Sequence, residues 1–200
     1  MNLKLRLLSY WMPEYLLIPE IDRISKMTLD CLNQLLENYS INEKNVIEEV
    51  LIKGKLSQRR SIMATAQNIR IKRLIESIGY MEASEISRKA LFKVGLTLGR
   101  EAHERLNVND SLTDLSSAAR ILYRVLGIEF YITVDDNKIF LTVEKCALAE
   151  YYTIETCKII SAVDEGVVQG LNHNYNMIFT EWMTGDCNEC RACIKHNKMN

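Results

Sequence analysis

Apolar residues recur every three to four positions through most of the first 126 residues, a spacing that is typical of amphipathic helices. The pattern predicts four long helices, at residues 19–39, 58–78, 82–106 and 112–126. Pro19 suits a first helical position, whereas Gly79 and Gly127 suit the positions that end a helix. Ser111 and Asp114 have the spacing of a capping box at the start of the fourth helix.

Three other segments near the N-terminus have less regular patterns. Leucines alternate with basic residues over positions 3–7, which predicts a short strand. Residues 11–18 are rich in apolar side chains, and we expect them to pack on the protein itself or on a second copy. Ser40 and Glu43 form a further capping box, which predicts a short helix that ends near Gly54.

In the C-terminal part the apolar period changes from 3.6 to 2, which indicates strands. Alternating runs at 128–134 and 139–143, joined by the turn Asp135-Asp136-Asn137, predict a β-hairpin. Ser161 and Asp164 have the spacing of a capping box for a later helix. That helix is predicted at residues 162–171, and two more strands at 177–179 and 190–194. The fold class is therefore α+β, with an antiparallel sheet packed against helices and preceded by a helical extension.

These elements divide the chain at about residue 80. Residues 1–80 are predicted to be a helical extension that serves dimerisation, and residues 81–200 a metal-binding α+β domain. A chain of 200 residues can bury its core without disulfides. Because it has neither a run of 18 uninterrupted apolar residues nor a signal-peptide pattern, we expect a soluble cytoplasmic protein that does not enter a membrane.

The balance of charge argues against a nucleic-acid partner. The 25 lysines and arginines are offset by 26 aspartates and glutamates, for a net charge of −1. Basic residues do concentrate over positions 53–73, but no helix-turn-helix pattern follows them. We interpret this segment as the solvated face of a helix.

Three of the six cysteines, Cys187, Cys190 and Cys193, fall within seven residues near the C-terminus. Thiolates suit Zn²⁺ or the iron of a [4Fe–4S] cluster, and either centre needs a fourth ligand. The candidates for that ligand are Cys157, Cys146, His196 and Glu181. The alternative is that these cysteines are free surface thiols or form a disulfide in the tail.

Several segments of the C-terminal part resemble the 4-vinyl reductase domain family. The resemblance lies in GLTLGR at 95–100, in residues 114–130, in the cysteine and glycines of 157–170, and in the closing segment 179–191. The stretch that runs from Met183 to Cys187 also resembles a related group, the aminothiazoline-carboxylate hydrolase-like proteins. The resemblance implies a pocket for a small, often hydrophobic molecule between helices and sheet, and a role as a sensor module.

The resemblance also implies a ligand set for a metal. Members of the aromatic-sensor type hold Zn²⁺ with a cysteine, a glutamate and two C-terminal cysteines; by motif these are Cys157, Glu181 and two of the three clustered cysteines. The family cysteine three residues after the glutamate is Thr184 here. That departure leaves two alternatives, a shifted zinc site or a four-cysteine site that could hold an iron–sulfur cluster.

Three functions stay open at this point. The first is a ligand- or redox-sensing metal-binding module without catalysis, which acts as a homodimer and reports to a partner protein. The second is a hydrolase or reductase, which predicts polar groups converging on a cavity. The third is a scaffold or assembly protein, which predicts an exposed apolar patch at residues 11–18. Asp164 and Glu165 are adjacent and point apart, so the sequence offers no acid–base pair and favours the first function.

Overall fold

A computed structural model describes residues 3–41, 52–136, 138–185 and 187–197 of the chain. The α-helices in these ranges are Leu3–Tyr10 (α1), Glu14–Asn38 (α2), Leu56–Ile78 (α3), Tyr80–Leu106 (α4), Leu112–Leu126 (α5) and Ile154–Leu171 (α6). The strands are Ile128–Asp135 (β1), Lys138–Cys146 (β2), Tyr175–Glu181 (β3) and Cys190–His196 (β4).

The four strands form one antiparallel sheet in the order β1-β2-β4-β3, so the last strand lies between β2 and β3. Along β4 the side chains of Cys190, Ala192 and Ile194 are buried, whereas Arg191 and Cys193 are half-buried. Because side chains alternate between the two faces of a strand, the buried set marks the inner face, which shares a core with α5. The predicted α+β class, with its helical N-terminal part, is confirmed.

The long helices from α3 to α5 and the hairpin follow the sequence pattern closely. The Ser111 hydroxyl accepts a hydrogen bond from the Asp114 amide at 3.1 Å and caps α5 as predicted. Gly127 ends α5 with a φ of 71°, in the left-handed region that favours glycine. The hairpin of β1 and β2 is confirmed, although its turn residue Asn137 lies outside the described residues.

Four glycines allow α4 and α6 to pack backbone against backbone. A Cβ atom on Gly95 would lie 2.0 Å from the carbonyl oxygen of Val163, and one on Gly166 would lie 2.2 Å from that of Phe92. Gly99 and Gly170 meet in the same way one turn further along. The backbone that approaches Gly95 and Gly99 so closely is that of helix α6.

Two predicted elements near the N-terminus differ in the structure. The predicted strand at residues 3–7 is wrong, because this segment is helix α1: Leu5 and Ser9, four positions apart, are both buried, and α1 packs on α5. Helix α2 begins at Glu14, so Pro19 lies inside it and not at its first position. The short helix predicted from the Ser40 and Glu43 capping box lies outside the described residues.

Helix α6 begins eight residues before the predicted start at residue 162. Thr153 caps it by accepting a hydrogen bond from the Thr156 amide at 3.2 Å, whereas Ser161 lies inside the helix and donates to the Lys158 carbonyl at 3.0 Å. Polar side chains such as Cys157 interrupt the apolar stripe of this first half. The apolar pattern is therefore weaker in the first half of this helix than in its second half.

The basic segment of α3 is only partly the solvated face that its sequence suggested. Arg70 is buried and donates from Nε to the side chain of Asn33 at 2.6 Å. Arg60 turns toward α5 and donates to the carbonyl oxygens of Arg124 and Val125. That interpretation is therefore wrong for these two arginines.

Apolar contacts cross the predicted boundary at residue 80. One core cluster joins Leu17 and Ile21 of α2 and Met63 of α3 with Leu98 of α4 and Val125 of α5. The division into an extension and a domain, and dimerisation through the extension, stay predictions. Of the helices in the described ranges, none combines the length and the apolar character that crossing a bilayer requires.

Candidate functional site

A cavity lies between α6, the inner face of the sheet and the helices α2, α3 and α5. About 80 Å³ of it is open to the centre of a water molecule, which is room for a few waters or a small ligand. Most of its wall is apolar, with Ile24, Met63, Val143 and Phe179 contributed by four different elements. The N-terminal helices therefore help to enclose it.

Polar side chains from four elements converge on this apolar cavity. Cys157 and Asp164 lie seven positions apart on α6, which places them two turns apart on one face of the helix. Cys146 comes from the end of β2, Cys190 from the start of β4 and Tyr123 from α5. These five side chains bring one carboxyl group, three thiols and the phenol of Tyr123 to the cavity.

Asp164 is the carboxyl group of the cavity. Burial, together with the nearby negative charge of Glu165, raises the pKa of its side chain to about 7, and hydrogen bonding by the Tyr123 hydroxyl opposes this rise. Part of its surface remains accessible, because the side chain lines the cavity. Asp164 can therefore exchange a proton near neutral pH.

Glu165, its neighbour along the chain, points the other way. Its Oε2 lies 2.7 Å from the guanidinium of Arg88 on α4, and its Oε1 accepts a hydrogen bond from the Phe179 amide at 3.3 Å. The sequence prediction that Asp164 and Glu165 point apart is confirmed. It concealed, however, that one of the two carboxyl groups faces a cavity.

The three thiols of the cavity are protonated at neutral pH. Burial raises the pKa of Cys157 to about 12 and that of Cys146 to about 11. Burial also raises the pKa of Cys190, whose sulfur accepts a hydrogen bond from the Met183 amide at 3.3 Å. As neutral thiols these groups are weak nucleophiles and must lose a proton before they bind a metal.

A second polar group lies on the side of the cavity that α2 and α3 form. Gln67 donates from Nε2 to the Thr28 hydroxyl at 2.7 Å, and its Oε1 accepts a hydrogen bond from the Tyr152 hydroxyl. Burial raises the pKa of Tyr152 well above its ordinary value, so its phenol is neutral. These two hydrogen bonds fix the orientation of the neutral Tyr152 phenol at the cavity wall.

The turn after β3 places two donors beside the cavity. The indole N–H of Trp182 is buried and has no hydrogen-bond partner among the described residues. Trp182 lines the cavity, whereas the Thr184 hydroxyl lies against the Cys157 thiol, where hydrogen bonding to the sulfur opposes the rise in the pKa of Cys157. Because buried polar groups in folded proteins nearly always have a partner, the indole N–H of Trp182 suits a bound water or ligand.

The predicted metal ligands do not lie on one side of the sheet. Cys157 and Cys190 both face the cavity, but Cys193 lies on the outer face, between Phe140 of β2 and Ile178 of β3. Two residues three positions apart in a strand point to opposite faces of the sheet. The spacing that suggested one metal ion for Cys190 and Cys193 therefore places their side chains on opposite faces.

The other two predicted ligands lie at the margins of the cavity. Cys187 precedes β4, and its charge raises the pKa of Cys190, so the two are near each other. Glu181 ends β3 opposite Arg191, at an irregularity in strand pairing. In the described part of the chain, no three Cys, His, Asp or Glu side chains come close enough to hold a metal ion. The donor set therefore does not assemble here, and the metal assignment stays a prediction.

The comparison with protein families identifies the relatives of this chain. A family model described as L-2-amino-thiazoline-4-carboxylic acid hydrolase matches residues 59–193, about two thirds of the chain. The chain belongs to this family. The family is related to the 4-vinyl reductase-like fold, so the resemblance drawn from the sequence is confirmed. The match includes α4 to α6, β1 to β3 and most of α3 and β4, and thus most of the cavity wall.

A solved structure supports the fold independently. The trafficking protein particle complex subunit 3 from Naegleria fowleri, covalently bound to palmitic acid, superimposes with a TM-score of 0.55 at 11% sequence identity. The alignment covers 68% of this chain and 94% of that one. At this identity the likeness concerns the fold alone. No curated protein sequence matches the chain significantly.

Asp164 and Tyr123 face the cavity but are not among the site residues that the sequence predicts: Tyr123 is expected to pack in the core or on the surface, and Cys146 is only an alternative ligand. A signal for Asp164 was present, because Cys157, Ser161 and Asp164 recur at helical spacing and all three line the cavity. A polar stripe of this kind on a helix that is otherwise buried indicates a wet cavity. Tyr123 carries no comparable signal, since it lies on the apolar face of α5.

Proposed function

We propose that this chain is a hydrolase that binds a small molecule in the cavity under the sheet, with Asp164 as general base and general acid. The observation that carries the proposal is the convergence of Asp164, Tyr123 and the thiols on one apolar cavity. Polar groups that converge on a cavity are what an enzyme requires. Membership of a family described as a hydrolase supports the same function.

The reaction follows from the chemistry of a 2-aminothiazoline ring. Water adds to the ring carbon that carries the amino group, and the carbon–sulfur bond of the ring breaks. In its ionised form Asp164 takes one proton from the attacking water, and in its protonated form it gives that proton to the leaving sulfur, which becomes a thiol. The second proton of the water passes to the nitrogen of the neutral ring as the new carbon–oxygen bond becomes a carbonyl, so the product is a urea that carries the thiol. Tyr123 holds the carboxyl group in place through its hydroxyl.

The lining of the cavity defines the substrate class. Within the described ranges, no Lys, Arg or His side chain lines the cavity. A neutral or cationic heterocycle therefore fits better than an anion, because a buried carboxylate without a cation is costly. The free indole donor of Trp182 suits an acceptor atom of such a ring. We expect 2-aminothiazoline to be a better substrate than its 4-carboxylate.

The test is turnover of both compounds, followed by the release of a thiol with a chromogenic reagent. We expect Asp164→Asn to lower kcat by at least about 100-fold, the range of a lost general base. Asp30→Asn, which changes an exposed carboxylate on α2, is the matched control and should keep its full rate. Full activity of Asp164→Asn, or neither turnover nor binding of either compound by the unaltered protein, would refute the proposal.

A second candidate is a sensor that binds the small molecule without converting it. The neutral thiols and the apolar lining favour it. Homodimerisation through residues 1–80, a partner protein, and zinc or an iron–sulfur centre at the predicted cysteines belong to this candidate. Binding of a heterocycle that raises the melting temperature, with no product after long incubation, distinguishes it from the hydrolase.

A further inference from the structure

Three arginine side chains line an open groove that shares Ile128 with the cavity. Arg60 comes from α3, and Arg120 and Arg124 lie one turn apart on α5. The ends of β1 and β2 close the groove, which has about 590 Å³ open to the centre of a water molecule. None of the three arginines lines the cavity that holds Asp164.

Backbone carbonyl groups hold all three guanidinium groups in place. Arg120 donates to the Phe130 carbonyl at 3.3 Å and lies 5.0 Å from the centre of the Phe130 ring. Arg124 donates to the Tyr10 carbonyl at 2.9 Å. Each of these contacts uses one of five N–H donors, so both side chains are oriented while most donors remain available.

Arg60 is fixed more tightly. It donates from Nε to the Val125 carbonyl at 2.8 Å and from a terminal nitrogen to the Arg124 carbonyl at 2.6 Å. These carbonyl groups end helix α5, where the helix dipole favours a cation. Arg60 therefore offsets the negative end of α5 and leaves the groove between the arginines positive.

Carboxylates offset this cluster only partly. In the described part of the chain, no Asp or Glu oxygen lies within ion-pair distance of the guanidinium groups of Arg60, Arg120 or Arg124. Burial lowers the pKa of Arg60 and the charge of Glu14 opposes this, while Glu129 and Glu144 line the groove and Glu129 pairs with Lys145 at 3.0 Å. Three like charges held in one groove repel each other, and an anion bound between them would relieve that repulsion.

We propose that this groove is a binding site for an oxyanion, a phosphate or carboxylate group carried by a small ligand. Guanidinium groups recognise both anions through paired N–H donors, and Arg120 and Arg124 are already oriented for such contacts. The site is distinct from the proposed hydrolase site, and its function does not depend on the chemistry at Asp164.

The test measures binding of inorganic pyrophosphate and of citrate to the full chain by calorimetry. The two probes distinguish a phosphate site from a carboxylate site. We expect saturable binding of at least one probe, with affinity about tenfold weaker in Arg120→Gln and in Arg124→Gln. Arg100→Gln removes an exposed arginine on α4 and is the matched control; its affinity should equal that of the unaltered protein.

Two outcomes would overturn the proposal. One is that the unaltered protein binds neither probe saturably at millimolar concentration. The other is that Arg100→Gln weakens binding as much as the groove variants do, which would indicate a general charge effect. Circular dichroism of each variant without ligand ensures that a loss of binding is not a loss of folding. If Arg120→Gln does not fold, the Arg124→Gln arm decides alone.

Discussion

The two sides of helix α6 differ in how closely they are packed. One side presses against α4 through Gly166 and Gly170, with no space for a single added carbon atom. The other side carries Cys157, Ser161 and Asp164 and faces a cavity. The two sides therefore have different roles. Close packing at the glycines fixes the position of α6, and this allows the other side to hold an ionisable group away from bulk water.

The largest effect is expected from a substitution on the side of α6 that packs against α4. In Gly166→Ala the new Cβ would lie 2.2 Å from the Phe92 carbonyl oxygen, so the two helices must move apart. We expect this variant to lower the free energy of unfolding by about 4 kcal/mol, measured by chemical denaturation. Gly79→Ala is the control: its φ of 80° strains an alanine, but nothing lies within 4 Å, so about 1 kcal/mol is expected. Equal losses in the two variants would contradict the tight contact.

The next effect tests the cavity side through pH. The pKa of Asp164 in the folded protein, about 7, is above the ordinary value of 3.8. Below pH 4 the carboxyl group is protonated in both the folded and the unfolded protein. Between pH 4 and pH 7 it ionises only in the unfolded chain, so the free energy of unfolding falls as the pH rises. Above pH 7 this loss is complete. The free energy of unfolding of Asp164→Asn, relative to that of the unaltered protein, should therefore rise by about 3 kcal/mol between pH 4 and pH 8.

The difference between two denaturation series cancels the carboxylates that do not interact with Asp164, so what remains is Asp164 and its coupling to the neighbouring Glu165. A constant difference across the pH range would show that the pKa of Asp164 is ordinary. The hydrolase proposal would then lose its proton acceptor and donor near neutral pH.

A smaller effect sharpens the contrast by linking the two sides. Glu165 pairs with Arg88 on the packed side, yet its charge is one of the causes that raise the pKa of Asp164. Glu165→Gln should lower the free energy of unfolding by about 2 kcal/mol, because Arg88 loses its charged partner in a partly exposed pair. It should also move the pH profile of catalysis toward lower pH. Glu155→Gln, an exposed change on the same helix, should leave the profile where it is.

Sequence patterns predicted the regular parts of this fold well and the cavity poorly. Helices α3 to α5 and the hairpin carry unbroken periods and recognisable caps, so local information is sufficient for them. The first half of α6 was missed because its cavity face is polar, which breaks the apolar stripe. Likewise, the spacing of Cys190 and Cys193 suggests that they bind the same metal ion. Both lie on strand β4, however, where residues three positions apart point to opposite faces of the sheet.

The smallest expected effect concerns those two cysteines. Cys193 is half-buried on the outer face of the sheet, whereas Cys190 is buried at the cavity. We expect Cys193→Ser to change stability by less than about 0.5 kcal/mol and Cys190→Ser to cost about 1 kcal/mol or more. Elemental analysis for zinc and iron after anaerobic purification, on both variants and the unaltered protein, tests the metal prediction at the same time. Metal lost only from Cys190→Ser would indicate a site on the cavity side, built with Cys157 and Cys187. Metal lost from both would require β4 to leave its place in the sheet, and the contrast between the two faces would then describe only the metal-free protein.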